Sequence, residues 1–192
     1  MIHQDFTDFS QVVQLAQPEL AYCPRATIFE AAAMAFMALC EKTQCYKEVI
    51  EFDASNGELD LISPHEGAQV AGVDKILIDD KELMRGEYEA HSLTHIVFEK
   101  GKSGKVVVNM KPTYDAQTAP ASIINAYAEA IANGTKGRLM LSLKMPWADP
   151  SMGQYYQSLF EQQCLRIGAD VRNSYSITRS GRAPYQRSVY GV

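Results

Sequence analysis

Apolar and polar positions follow two different periods along this chain, and the period switches several times. From Phe6 to Gln17 the apolar residues Phe6, Phe9, Val12, Val13 and Ala16 recur at helical spacing. This predicts an amphipathic helix that Asp5 or Thr7 can cap and Pro18 ends. Pro24 introduces a second predicted helix, Ala26 to Lys42, rich in Ala and Met. It is apolar around most of its circumference, the signature of a helix enclosed in a core. Glu30 is the acid in its middle, with Arg25 as a ready ion-pair partner.

Shorter apolar runs come next. Tyr46 to Phe52, Leu59 to Ser63 and Lys75 to Ile78 read as strands, and Asn56-Gly57 predicts a hairpin between the first two. Leu93 to Glu99 and Lys105 to Lys111 flank a Lys-Gly-Lys-Ser-Gly turn and predict a second hairpin. Beyond Pro112, Ser122 to Asn133 is helical and meets a stop signal at Asn133-Gly134. Arg138 to Met145 reads as an apolar strand, Ser151 to Ile167 as a helix capped by Gly168, and Ala169 to Ile177 as a last strand. This order predicts an α/β or α+β fold, with a mixed central sheet flanked by helices.

At 192 residues and 46% hydrophobic content, the chain can bury one sizeable core. The predicted organisation is a single domain over residues 1–170 and an extended C-terminal arm over residues 171–192. The apolar stretch Ala31 to Cys40 is too short to span a bilayer. The first residues, Met-Ile-His-Gln-Asp, carry no basic or apolar leader, and Cys23, Cys40, Cys45 and Cys164 form no CxxC pair. Free thiols in a reducing cytoplasm are therefore expected, rather than a zinc site.

Charge divides the chain unevenly. The net charge is −5, from 18 basic and 23 acidic residues. Val171 to Val192 carries Arg172, Arg179, Arg182 and Arg187 with no acid, so the arm is +4 against −9 for the body. Tyr175, Tyr185 and Tyr190 are interleaved with the arginines. Guanidinium groups pair with phosphates and tyrosine rings stack on bases, so the arm is a candidate nucleic-acid contact. The favoured reading is an arm that docks on the acidic body of its own chain or of a second copy, the latter giving a homo-oligomer. A net acidic protein repels the phosphate backbone.

Two runs place a metal-capable polar residue inside an apolar strand, where burial is costly without a partner. They are Gly57-Glu58-Leu59-Asp60-Leu61-Ile62-Ser63 and Lys105-Val106-Val107-Val108-Asn109-Met110-Lys111. Together with the element order, they resemble the two motifs of the PD-(D/E)XK nuclease superfamily, in which an Asp ends one strand and acid-x-Lys occupies the next. Asn109 stands in the place of the acid. Ile123-Ile124-Asn125-Ala126-Tyr127-Ala128 resembles the helix that follows the motif, and Glu30 falls where some members carry a further acid. The resemblance implies Asp60 and Asn109 as Mg²⁺ ligands, Lys111 as the ammonium that positions the attacking water, and Glu30 as a supporting acid. With Asn109 neutral, it implies a nuclease-like binding or assembly module that is non-catalytic or weakly active. The alternative is a Mg²⁺-dependent phosphodiester hydrolase. The cofactor expected is accordingly none or Mg²⁺.

Pro24-Arg25-Ala26-Thr27-Ile28-Phe29-Glu30-Ala31-Ala32, followed by Ala71-Gly72-Val73-Asp74, is also similar to hotdog-fold acyl-thioester dehydratases. That resemblance implies an acyl-thioester-binding protein built on a buried helix and a wrapped antiparallel sheet. Other features carry less. His91 and His95 read as surface or hairpin histidines, Asp79-Asp80-Lys81-Glu82 as a solvated turn, and Trp147 as a packed loop aromatic. No Gly-rich phosphate loop or nucleophile elbow is present in the sequence.

Overall fold

Nineteen residues, Arg25–Thr43, form the helix α2, and most of its circumference is buried. A helix with so little polar surface must be covered on every side, and the fold supplies the covers. In the computed structural model, which describes residues 5–54, 57–79, 81–83, 86–98 and 101–180 with side chains to residue 173, four helices combine with antiparallel sheets. The helices are α1 (Ser10–Ala16), α2, α3 (Ala121–Met140) and α4 (Pro150–Ser180). The first three other helices and the central strand of the largest sheet all contact α2. Phe9 packs edge-on against Phe29 at 5.5 Å and tilted against Phe36 at 5.8 Å, which ties α1 to α2. One continuous hydrophobic cluster runs from Phe9 to Ile167.

The strands are β1 (Phe6–Asp8), β2 (Lys47–Ala54), β3 (Glu58–Asp60), β4 (Ala68–Ile78), β5 (Lys81–Glu82), β6 (Tyr88–Ala90), β7 (His95–Phe98), β8 (Lys102–Pro112) and β9 (Thr118–Pro120). They form a four-stranded sheet in the order β2-β8-β4-β5, a three-stranded sheet β3-β7-β6, and the pair β1-β9. All the described pairings are antiparallel. Val106 to Met110 in β8 are buried without a break, as befits a central strand covered on both faces.

The fold is α+β, as the element pattern implies, but its elements and connections differ from expectation in several places. Neither predicted hairpin is paired among the described residues. Asn56 lies outside the described residues, and the strands on either side of it pair elsewhere: β2 with β8 and β3 with β7. Strand β7 likewise pairs with β3 and β6, while β8 joins β2 and β4. Local turn signals lose here to long-range burial of the β8 side chains. Phe6–Asp8 is a strand paired with Thr118–Pro120, so α1 starts only at Ser10, where the Asp8 carboxylate accepts from the Ser10 N–H (2.9 Å) and hydroxyl (2.8 Å).

The largest differences are C-terminal. Helix α3 does not stop at Asn133-Gly134 but runs to Met140, with a break in helical geometry at Tyr127. Asn133 donates instead to Gln163 Oε1 (3.1 Å), and Gly134 lies against Phe160. The predicted strand Arg138 to Met145 is the end of α3 and a corner, and the predicted strand Ala169 to Ile177 is part of α4, which passes through Gly168. With neither segment a strand, the described residues supply no parallel strands for a mixed sheet. The segment Val171–Ser180, expected to begin an extended arm, continues α4; residues 181–192 lie outside the described residues.

Helices α3 and α4 approach closely because α3 presents glycine at the contact. A Cβ added to Gly137 would lie 2.8 Å from the backbone nitrogen of Gln157. Gly137→Ala gains about 1 kcal/mol of helix propensity, but the obstacle is backbone, so α4 must move, at roughly 1–3 kcal/mol of overpacking. The expected result is a lower urea midpoint for Gly137→Ala. Gly72→Ala, where a Cβ meets nothing within 4 Å, should hold or raise the midpoint. Equal behaviour of the two variants would contradict tight α3–α4 packing.

Candidate functional site

The residues singled out by the nuclease-like motifs fall in three separate places. Asp60 ends β3, largely exposed, and its Oδ1 lies 2.7 Å from His95 Nδ1 on the neighbouring β7. Lys111 is near the end of β8, in the other sheet, and donates to Glu41 Oε1 of α2 at 2.8 Å. Glu30 is exposed on α2. Asn109 is buried in β8, opposite Lys47 of β2 and Gly72 of β4.

The β4 register shifts between Val73 and Lys75, a bulge that re-aims the residue between them. Asp74 then meets Lys47 Nζ at 3.0 Å. Since β2 and β4 flank β8, this ion pair crosses over the strand at the level of Asn109. The Asn109 side-chain oxygen is buried without a hydrogen-bond partner. One amide oxygen under an ion pair is a poor start for a Mg²⁺ site, which calls for several oxygen ligands converging on one point. Asp60 is in a different sheet, Lys111 is engaged by Glu41, and among the described residues no group of three or more His, Cys, Asp or Glu is placed to hold a metal ion.

His95, expected to be an ordinary surface or hairpin residue, is the partner of Asp60. His91 stacks edge-on near it at 5.8 Å, and Glu89 Oε2 lies 3.6 Å from His91 Nε2. The row Asp60–His95–His91–Glu89 is solvent-facing, with the Asp60 and Glu89 side chains 77% and 82% exposed, so water competes with each contact. Of the arm residues, Arg172 is exposed on α4. Tyr175 and Arg179 lie on the helical backbone with side chains outside the described residues, as do Arg182, Tyr185, Arg187 and Tyr190 entirely.

The feature that the sequence reading misplaced is the corner between α3 and α4. Leu141, Leu143, Met145, Met152 and Tyr155 are exposed there, from 37% at Leu141 to 73% at Leu143. The corner is well ordered by hydrogen bonds. Asp149 N–H donates to Met140 O (3.0 Å), Ala148 N–H to Met145 O (3.0 Å), and Asp149 Oδ1 accepts from Met152 N–H (3.1 Å). Leu141 lies over Gly153, where a Cβ would come within 2.9 Å of its Cγ. Trp147 is half-buried and packs on the core as expected, with its indole nitrogen buried and unpartnered.

Behind the corner is a clasp of charge. Lys136 Nζ of α3 lies 3.3 Å from Glu19 Oε1 and 4.1 Å from the centroid of the Tyr156 ring, and Tyr156 Oη donates to the same Glu19 oxygen at 3.3 Å. Burial, with the Glu19 charge, pushes the Tyr156 hydroxyl pKa up. The signal for the corner was available: Pro146 and Pro150 bracket it, and Asp149-Pro150 is an N-cap followed by proline at the first helical position.

A second cluster lies at the other end of α2. Gln44 takes a left-handed conformation (φ 54°), and its N–H donates to Cys40 O at 2.8 Å. Such a cap brings together the side chains three residues before and just after the turn, here Cys40 and Cys45. Burial pushes the Cys40 thiol well up, whereas hydrogen bonding from Cys40, then from Thr43, holds Cys45 below the ordinary thiol range. Burial also raises Cys23, and raises Cys164 to about 11.

Among known proteins, no family model and no curated sequence matches this chain.

The four thiols should therefore differ in reactivity, since the thiolate is the nucleophile. Under limiting iodoacetamide, Cys45 should be alkylated first, with a rate that rises with pH through a midpoint below that of a free thiol. Peptide mass mapping reads the order. Faster labelling of Cys23, Cys40 or Cys164 would contradict the hydrogen-bonded pair.

Proposed function

We propose that this protein is a non-catalytic assembly module, one that forms homo-oligomers and binds through its surface and C-terminal arm. The observation that carries the reading is the α3–α4 corner, where five large apolar side chains are exposed on a hydrogen-bonded, clasped scaffold. Scattered exposed apolar residues are ordinary, whereas a concentrated patch marks an interaction surface. The charge division supports the same reading, since an arm of +4 attached to a body of −9 favours contact between copies. The dispersal of Asp60, Lys111, Glu30 and Asn109 over two sheets and a helix favours binding over phosphodiester hydrolysis. The four cysteines are free thiols, a state that a reducing compartment maintains, and a cytoplasmic location belongs to the proposal. Among the described residues, no single helix is long and apolar enough to cross a membrane.

Nucleic acid is the second reading, on the specific observation that arginine and tyrosine alternate in an arm without acids.

Light scattering on the full chain should give a mass that is a multiple of the 21.3 kDa monomer. Removing residues 181–192 leaves the described hydrophobic core complete and should return the monomer. A labelled oligonucleotide with Mg²⁺ should remain intact. Cleavage that disappears in Asp60→Ala or Lys111→Ala would replace this reading with the hydrolase. If the arm instead holds nucleic acid, affinity should fall with salt, and the truncation should reduce the log–log slope by about 0.7–0.9 per lost phosphate contact.

A further inference from the structure

The α3–α4 corner and the last residues of the chain are separated by the length of α4, and that length decides which copy can fill the corner. Five of the twelve exposed large hydrophobic side chains among the described residues, Leu141, Leu143, Met145, Met152 and Tyr155, lie within this one corner. The 31 residues of α4 start at the corner and lead away from it, a distance of about 46 Å at ~1.5 Å per residue. The roughly 12 residues beyond Ser180 span at most about 40–43 Å fully extended. The anchors Tyr185 and Tyr190, five and ten residues past Ser180, reach at most about 18 and 36 Å, short of Tyr155, about 38 Å back along α4 in the same copy.

Those residues nevertheless have the composition of an occupant. They include Tyr185, Val189, Tyr190 and Val192, with Arg182 and Arg187 and no acid. Tyrosine rings pair well with methionine sulfur and leucine, and the corner offers both. The two arginines also suit a chain whose remaining residues carry a net negative charge.

We propose that residues 181–192 of one copy bind the apolar α3–α4 corner of another, so that copies link head to tail. This rests on the assembly reading above and adds the two surfaces involved. Because donor segment and acceptor corner are different surfaces of one chain, each copy offers one of each. The links close either as a reciprocal pair or as a ring.

Two full-length variants separate the surfaces. Leu143→Glu spoils the corner at an exposed position and leaves the segment intact. Tyr185→Asp with Tyr190→Asp spoils the segment and leaves the corner intact. Circular dichroism should show both folded like the wild type. Each alone should be monomeric by light scattering, and an equimolar mixture should give a one-to-one heterodimer, because one variant supplies the segment and the other the corner. Trp147, the only tryptophan in the chain, sits in the corner and provides a direct readout. A synthetic peptide of residues 181–192, titrated into the segment variant, should shift Trp147 emission saturably. Combining Leu143→Glu with the segment substitutions should weaken the peptide at least about tenfold.

A wild type that assembles, with Leu143→Glu assembling equally well, overturns the docking and leaves the assembly reading standing. Two monomeric variants that fail to pair on mixing overturn the head-to-tail link. A monomeric wild type overturns the assembly reading; if the peptide also leaves Trp147 unmoved, the docking falls with it.

Discussion

The enclosure of α2 governs the architecture. Arg25–Thr43 has buried residues on nearly all sides, among them Ile28, Ala32, Phe36 and Leu39, so no orientation of this helix on a surface is stable. Each cover is a distinct element: α1 through Phe9, α3 and α4 on their own faces, and the sheet through β8. The small residues Ala31, Ala32, Ala33 and Ala35 keep its girth narrow, which lets several covers approach at once. Buried apolar surface contributes about 25 cal/mol per Å², and α2 is where most of the covering elements meet.

That central fact was legible in the sequence, because an apolar run of helical length with one mid-helix acid has few other readings. The α+β class and the second half of the chain's helical content were partly legible too. What failed was pairing. Asn56-Gly57 and the glycines near residue 101 are good local turn signals, yet a turn signal reports only that the chain can reverse, not which strands then bond. Val106 to Met110, buried on both faces, require neighbours on either side, and β2 and β4 provide longer partners than the predicted hairpins would. At the C-terminus the failure was of a different kind. Asn133-Gly134 looks like a stop because glycine is usually found where a helix ends; here the missing side chain is used to admit Phe160, a tertiary reason invisible to local reading.

The candidate site was less legible still. Asp60, Asn109 and Lys111 drew attention as polar residues among apolar ones; His95 partners Asp60 and Glu41 partners Lys111, whereas the Asn109 side-chain oxygen is buried without a partner. The apolar corner escaped because Leu141, Leu143 and Met145 look like strand residues by composition. Exposure is not written in composition. It arises because α3 ends at Met140 and α4 begins at Pro150, so the intervening chain turns on the outside of the helical layer. The Glu19–Lys136–Tyr156 clasp ties α3 and α4 to the turn at Gln17–Leu20 close to that corner.

The position of β8 also sets a timetable for synthesis. It is the strand between β2 and β4, but it comes last of the four in the chain. Until Lys102–Pro112 has left the ribosome, β2 and β4 have no partner between them, and the edges that will face β8 are unpaired. At about 5–20 residues per second, some 60 residues separate the appearance of β2 from that of β8, a wait of roughly 3–12 s. The alternating Lys47, Glu48, Glu51 and Asp53 of β2 carry charge through that interval, and charged edges resist pairing with other nascent chains. The central strand therefore makes the sheet a late event, and the acidic β2 resists stray pairing while the chain waits.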